Sequence, residues 1–375
     1  MKLEPFNLER IQSEWEHRVE FNLSESGVEP LRISELLDTS NLKEQFLETQ
    51  LGYSQTNGTV PLRQAIAQHY PGIGVDNIIV TNGGAEANYL VTWRFFHENP
   101  SRRELVFMIP NYMQMSGVWK NLGGKVNTFK LKMANGKWIP DIEELHAKVT
   151  EKTAAIAICN PNNPTGAIIS DSDLDAIVNI ASEKDVWIIS DEIYRGAEIQ
   201  EKKAPSMHRR YDKTIITSSL SKAYGLPGLR IGWAVCPSEQ VATELWTYSD
   251  YTTICPSKTS DWLATLALKP DVQAKIEKRT RRVIRENWSI MKKWLDSHSD
   301  ILEYISPSAA AICFIKQNTG IPSLDLVMRL IKEKSVLISP GEYFEMPGFI
   351  RIGFGSEKEY LEHALKRISE LLVTF

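Results

Sequence analysis

Short apolar runs rich in β-branched residues alternate with segments of helical period through the middle of the chain. The runs cover residues 77–81, 104–109, 154–159, 186–190, 214–217 and 231–236. Each has strand length, and most are bounded by Gly, Pro, Asn or Asp. Between the third and fourth, Leu174, Ile177, Val178 and Ala181 recur at i, i+3, i+4 and i+7, which predicts an amphipathic helix over residues 171–184. Strands alternating with helices predict an α/β fold with a mostly parallel central sheet covered by helices on both faces. From about residue 274 a long helical pattern carries Ile276, Val283, Ile284, Trp288, Met291 and Leu295. Beyond it the character changes. Strand candidates at 311–315, 336–338 and 349–352 precede a closing helix with Tyr360, Leu361, Ala364, Leu365 and Ile368 on one face. The pattern predicts a large domain over residues 41–274 and a smaller α+β domain made of residues 275–375 with residues 1–40.

Composition narrows the function classes. A net charge of −4 over 375 residues leaves no electrostatic footprint for nucleic acid. The one dense basic cluster, residues 278–285, falls on the predicted long helix and reads as a solvated face. No apolar stretch approaches the roughly 20 residues needed to span a bilayer, and the start MKLEPFNLER lacks a signal-peptide apolar core. A cytoplasmic protein without nucleic-acid or membrane partners is expected. Cys159, Cys236, Cys255 and Cys313 show no CxxC spacing, so neither a metal site nor a disulfide framework is expected.

Five polar segments follow directly after predicted strands: TNGGAEAN at 81–88, PNY at 110–112, NPNNPTG at 160–166, DEIY at 191–194 and SLSKAYGLPGLR at 219–230. In open α/β sheets ligands bind beyond the carboxyl ends of the strands, so these loops should converge. Asp191 ends an apolar strand, a costly place for a carboxylate unless a cation faces it; capping of the following turn is the plainer alternative. Asn163 and Tyr194 offer hydrogen-bond donors. Gly84 and Ala85 stand at the mouth of a predicted helix, where free N–H groups favour a phosphate, and Ser219, Ser221 and Arg230 add hydroxyls and a guanidinium. Lys222 lies among them, in what reads as a cation-rich pocket suited to Schiff-base chemistry. Tyr112 is a candidate platform for a planar ring.

The run SLSKAYGLPGLRIGW, with NPNNPTG, DEIY and a late RIGFG, resembles the class I/II aminotransferases of fold type I over nearly the whole chain. The resemblance implies pyridoxal 5'-phosphate as cofactor and an amino acid and a 2-oxo acid as substrates. Lys222 would be the Schiff-base lysine that also moves the proton. Asp191 would pair the pyridine nitrogen, Asn163 and Tyr194 the ring oxygen, and Tyr112 would stack. Gly84, Ala85, Ser219, Ser221 and Arg230 would hold the phosphate. The resemblance also implies a homodimer with shared active sites, to which Tyr53 would contribute across the interface. Arg351 would take the substrate carboxylate, with Gly27 and Asn163 beside it. SESGVEPL and DYTTICPS are similar to segments of capreomycidine synthase-like enzymes, which makes a lyase or cyclase the alternative to transamination. The fold also serves as a cofactor-binding sensor in transcription regulators, which need a DNA-reading helix-turn-helix module ahead of it; the roughly forty residues before the Tyr53 segment carry no basic patch, so that reading is not expected, and Lys222 and Asp191 disfavour a purely structural homologue. No arginine in residues 250–256 offers itself to a second carboxylate, so a dicarboxylic substrate is not expected.

Overall fold

The computed structural model describes residues 3–375. Its central sheet has eight strands, in spatial order Ile78–Thr81, Gly232–Val235, Thr214–Ser219, Trp187–Asp191, Thr153–Cys159, Glu104–Ile109, Lys125–Ala134 and Lys137–Pro140. Six run in one direction; Gly232–Val235 and Lys137–Pro140 oppose their neighbours. Thr153–Cys159 is buried at all seven positions, as a parallel strand covered on both faces must be. Ile156 and Ile158 enter one core and Ala155 and Ala157 the other. Helix Asp171–Glu183 covers the first face with Leu174 and Ile177, and helix Gly84–Glu98 the second with Leu90, Val91 and Phe95. The former starts at Ser170, whose Oγ accepts from Asp173 N at 3.1 Å, a cap worth about 1 kcal/mol.

The last two strands lie outside the six expected ones. Lys125–Ala134 is a half-exposed strand near the sheet edge, polar enough to escape a search for apolar runs. It turns back through Asn135 and Gly136 at φ 51° and 69°. An Asn-Gly pair with both φ positive is the hairpin signal that finds it.

A second, antiparallel sheet joins Leu302–Tyr304, Ile312–Gln317, Phe349–Gly353 and Ser339–Pro340. The single strand expected at 336–338 is divided: Val336–Leu337 pairs in parallel with Phe21–Asn22, and Ser339–Pro340 joins this sheet. The early segment continues alongside, since Gly353 N donates to Leu23 O at 2.7 Å and Glu29 N to Gly355 O at 2.8 Å. Only glycine permits this approach. A Cβ at Gly353 would lie 1.9 Å from Glu25 O, and one at Gly355 1.9 Å from Gly27 O. Residues 23–29 are thereby held beside Arg351.

The basic cluster on helix Pro270–Asp296 is not merely a solvated face. Arg281 Nη2 meets Glu198 Oε2 at 3.0 Å, and Glu198 is fully buried, a position that requires a cation. Arg279 Nη1 donates to Glu29 O at 2.9 Å. Among the described residues no helix is long and apolar enough to cross a membrane, and no His, Cys, Asp and Glu cluster could hold a metal ion.

Candidate active site

The loops at the carboxyl ends of the central strands close around a cavity of about 320 Å³. Gly84, Ala85, Tyr112, Asn163, Asp191, Tyr194, Ser221, Lys222, Arg230 and Arg351 all line it. Ser219 stands just behind, where its Oγ accepts from Ser221 N at 3.1 Å. Gly27 lines an adjoining cavity that shares Lys222, Ser221, Glu25 and Pro227 with the first. Tyr53 lies elsewhere, 91% exposed.

Asp191 ends its strand in full burial of the carboxyl. Asn88 Nδ2 donates to its Oδ2 at 2.9 Å and Ile193 N to its Oδ1 at 3.0 Å. The latter bond is the expected turn cap; the former is not. Among the described residues no cation pairs with this carboxylate, and burial above all raises its pKa, with the two donors pulling it back. A buried carboxylate so placed fits a protonated pyridine nitrogen. Asn88 itself is fixed by Thr217 Oγ1, which donates to its Oδ1 at 2.6 Å. It was open to inference, because it lies four residues after Gly84 and so shares that face of the helix.

The phosphate end rests on backbone geometry. Gly83 precedes helix Gly84–Glu98 at φ +87°, and a Cβ there would lie 2.3 Å from Arg230 Nη2. A Cβ on Gly232 would meet Gly83 C and Gly84 N at 2.4 Å. The guanidinium thus lies over the helix N-terminus, whose first N–H groups lack helical acceptors. Arg230 itself has φ 52°, an uncommon conformation held by its neighbours. These groups fit a phosphate.

At the opposite end Arg351 is buried. Its Nη1 donates to Asn163 Oδ1 at 2.7 Å, its Nη2 to Ser24 O and to Ser339 Oγ, and its Nε has no partner among the described residues. Burial lowers its pKa, with Tyr194 and then Glu25 opposing. Tyr194 OH donates to Ser26 Oγ at 2.8 Å, and burial raises its pKa. Tyr112 OH donates to Glu9 Oε1 at 2.7 Å, and its ring packs edge-on against Phe6 at 4.9 Å.

Arg230 and Arg351 share the cavity with Lys222 as expected, but its amine pairs with Glu25 Oε2 at 3.6 Å. Glu25 belongs to a wall unexpected from the sequence. Helix Asn7–Trp15 buries Leu8 and Ile11, and Glu9, Gln12, Ser13 and, just past its end, Glu16 face the cavity. Their i, i+3, i+4, i+7 spacing is the polar complement of the buried stripe. Gln12 Nε2 donates to Ser24 O at 3.0 Å, tying the helix to the segment beside Arg351.

The pattern of the family described as aminotransferase class I and II matches residues 38–368. The chain belongs to this family. A solved structure of a PLP-dependent aminotransferase from Streptococcus suis superposes with a TM-score of 0.92 at 34% identity, covering 100% of this chain and 99% of that one. Capreomycidine synthase of Streptomyces vinaceus is 28% identical over 358 residues, 94% of this chain and 90% of that protein. Aspartate aminotransferase of Thermotoga maritima is 27% identical over 343 residues, 88% and 85%. The chain is a pyridoxal 5'-phosphate enzyme of this family, whose members act on small amino and keto acids, with the fold type I architecture.

Proposed function

We propose that the enzyme transfers the α-amino group of an L-amino acid to a 2-oxo acid. The observation that supports this best is the convergence in one cavity of an amine at Lys222, a buried carboxylate without a cation at Asp191 and a buried guanidinium at Arg351. Pyridoxal 5'-phosphate, when bound, supplies an aldehyde that captures amines and a ring that draws off the electrons freed at the substrate Cα. The chain supplies the rest. Lys222 holds the aldehyde carbon and carries the proton at the substrate Cα. Asp191, kept in place by Asn88, keeps the ring nitrogen protonated. Asn163 and Tyr194 donate to the ring oxygen, Tyr112 stacks on the ring, and Gly84, Ala85, Ser219, Ser221 and Arg230 take the phosphate. Arg351 takes the substrate carboxylate as a two-pronged pair, with Asn163 and Gly27 beside it.

A homodimer with Tyr53 reaching the neighbouring site agrees with the 91% exposure of Tyr53 and the 85% exposure of nearby Leu51, large apolar groups that a second copy would cover. The 28% identity to capreomycidine synthase over 94% of the chain supports a lyase or cyclase as the second reading. The test is to incubate purified enzyme with single amino acids, with and without a 2-oxo acid, and identify products by mass. Keto acid beyond one turnover only when acceptor is present supports transfer. Product that accumulates without acceptor favours elimination or ring closure and removes the first reading.

A further inference from the structure

Charge can be accounted for group by group in the cavity. Its cations are Lys222, Arg230 and Arg351, and its carboxylates are Asp191, Glu9, Glu16 and Glu25. On the transaminase reading, which this inference rests on, Lys222 serves the aldehyde, Arg230 the phosphate, Asp191 the ring nitrogen and Arg351 the substrate's α-carboxylate. Of the groups this chain contributes, three carboxylates and no cation remain to face the substrate side chain. The adjoining cavity repeats the imbalance, since Glu25, Glu29 and Glu357 line it with Lys222 as its one cation. In the free chain Lys222 first, then Arg351 after the opposing effect of burial, hold the Glu25 carboxyl below the usual range.

We infer that both substrates of this enzyme lack a side-chain carboxylate: the donor is an amino acid with a neutral or cationic side chain, and the acceptor a monocarboxylic 2-oxo acid. Donor and acceptor occupy the same cavity in turn, so one acidic wall selects both. A second carboxylate beside Glu9, Glu16 or Glu25 would meet like charge from three sides, and the solvent that reaches these part-exposed groups weakens that repulsion without removing it. Like-charge placement of this kind is how a site rejects a near-isostere of its substrate.

The test uses the holoenzyme in two ways. Half-reactions followed by cofactor absorbance compare glutamate and aspartate with their uncharged analogues glutamine and asparagine, and 2-oxoglutarate with 2-oxobutyrate and pyruvate. Calorimetric titration compares α-methylglutamate with α-methylglutamine, neither of which can lose an α-proton, so binding is read whether or not amino transfer occurs. The expected result is a preference of about 100-fold or more for the uncharged member of each pair. Glu25→Gln is expected to narrow that gap about tenfold by admitting the dicarboxylates. Equal or tighter binding of α-methylglutamate overturns the inference. Should keto acid form without an acceptor while the uncharged analogue still binds better, the transfer reading falls and the charge selection stands.

Discussion

Asp191, Tyr194 and Asn163 stand at or just beyond the ends of neighbouring buried strands, whereas Glu9, Glu16 and Glu25 come from the first 25 residues, on a short helix and a loop. The two ends of the cavity therefore differ in rigidity. At the cofactor end, ladder hydrogen bonds on both sides of Trp187–Asp191 and the Thr217, Asn88 and Asp191 chain leave each polar atom one position. At the substrate end, position depends on a two-residue strand pair, two glycine contacts and single side-chain bonds from Gln12, Arg351, Tyr194 and Tyr112. Chemistry common to many substrates sits where the fold is stiffest, and selection among substrates sits where side chains can change without disturbing the sheet.

Variants should separate the two ends. Lys222→Ala is expected to abolish the reducible absorbance of the bound aldehyde and lower turnover about 10³-fold or more, with the circular dichroism spectrum kept; an unchanged absorbance would remove Lys222 from its role. Asp191→Asn is expected to cost on the order of 10²-fold in turnover. Asn88→Leu should cost less, about tenfold, and it carries a pH signature. Asp191 must be ionised to hold the ring cation, so activity is lost as pH falls through its pKa. Asn88 lowers that pKa by donating to the carboxylate, so its loss should move the acid limb of the rate profile to higher pH. An unmoved limb would show that Asn88 acts only as packing. At the other end, Gln12→Ala should raise KM severalfold with cofactor affinity unchanged, since it loosens the wall and leaves the strands intact. A weakened cofactor affinity there would mean that the two ends are one unit.

Much of this was legible in the residues. The buried strands announced themselves as apolar runs, and the loops after them as polar, Gly-containing or Pro-containing segments. The polar hairpin at 125–140 did not, because an edge strand needs no continuous apolar face. Asn88 and Glu25 were missed for different reasons. Asn88 carried a local signal, its place four residues after Gly84 on the same helix face, whereas nothing local distinguishes a glutamate in a loop until its neighbours are known. The carboxylate that pairs Lys222 was not foreseen, because nearness in sequence to Arg230 says nothing about Glu25, which lies 197 positions earlier.

Local pattern and composition, by themselves, determined the α/β architecture, the order of the loops and the types of chemical group they carry, because strand and helix periods are properties of short stretches. Which groups meet was decided by tertiary structure: Phe21 pairing with Val336, and glycines at 353 and 355 letting the early segment lie against Arg351. Those contacts span more than 300 residues. They form only when the whole core closes, so the acidic wall that faces the substrate exists in the fold and not in any segment of the chain.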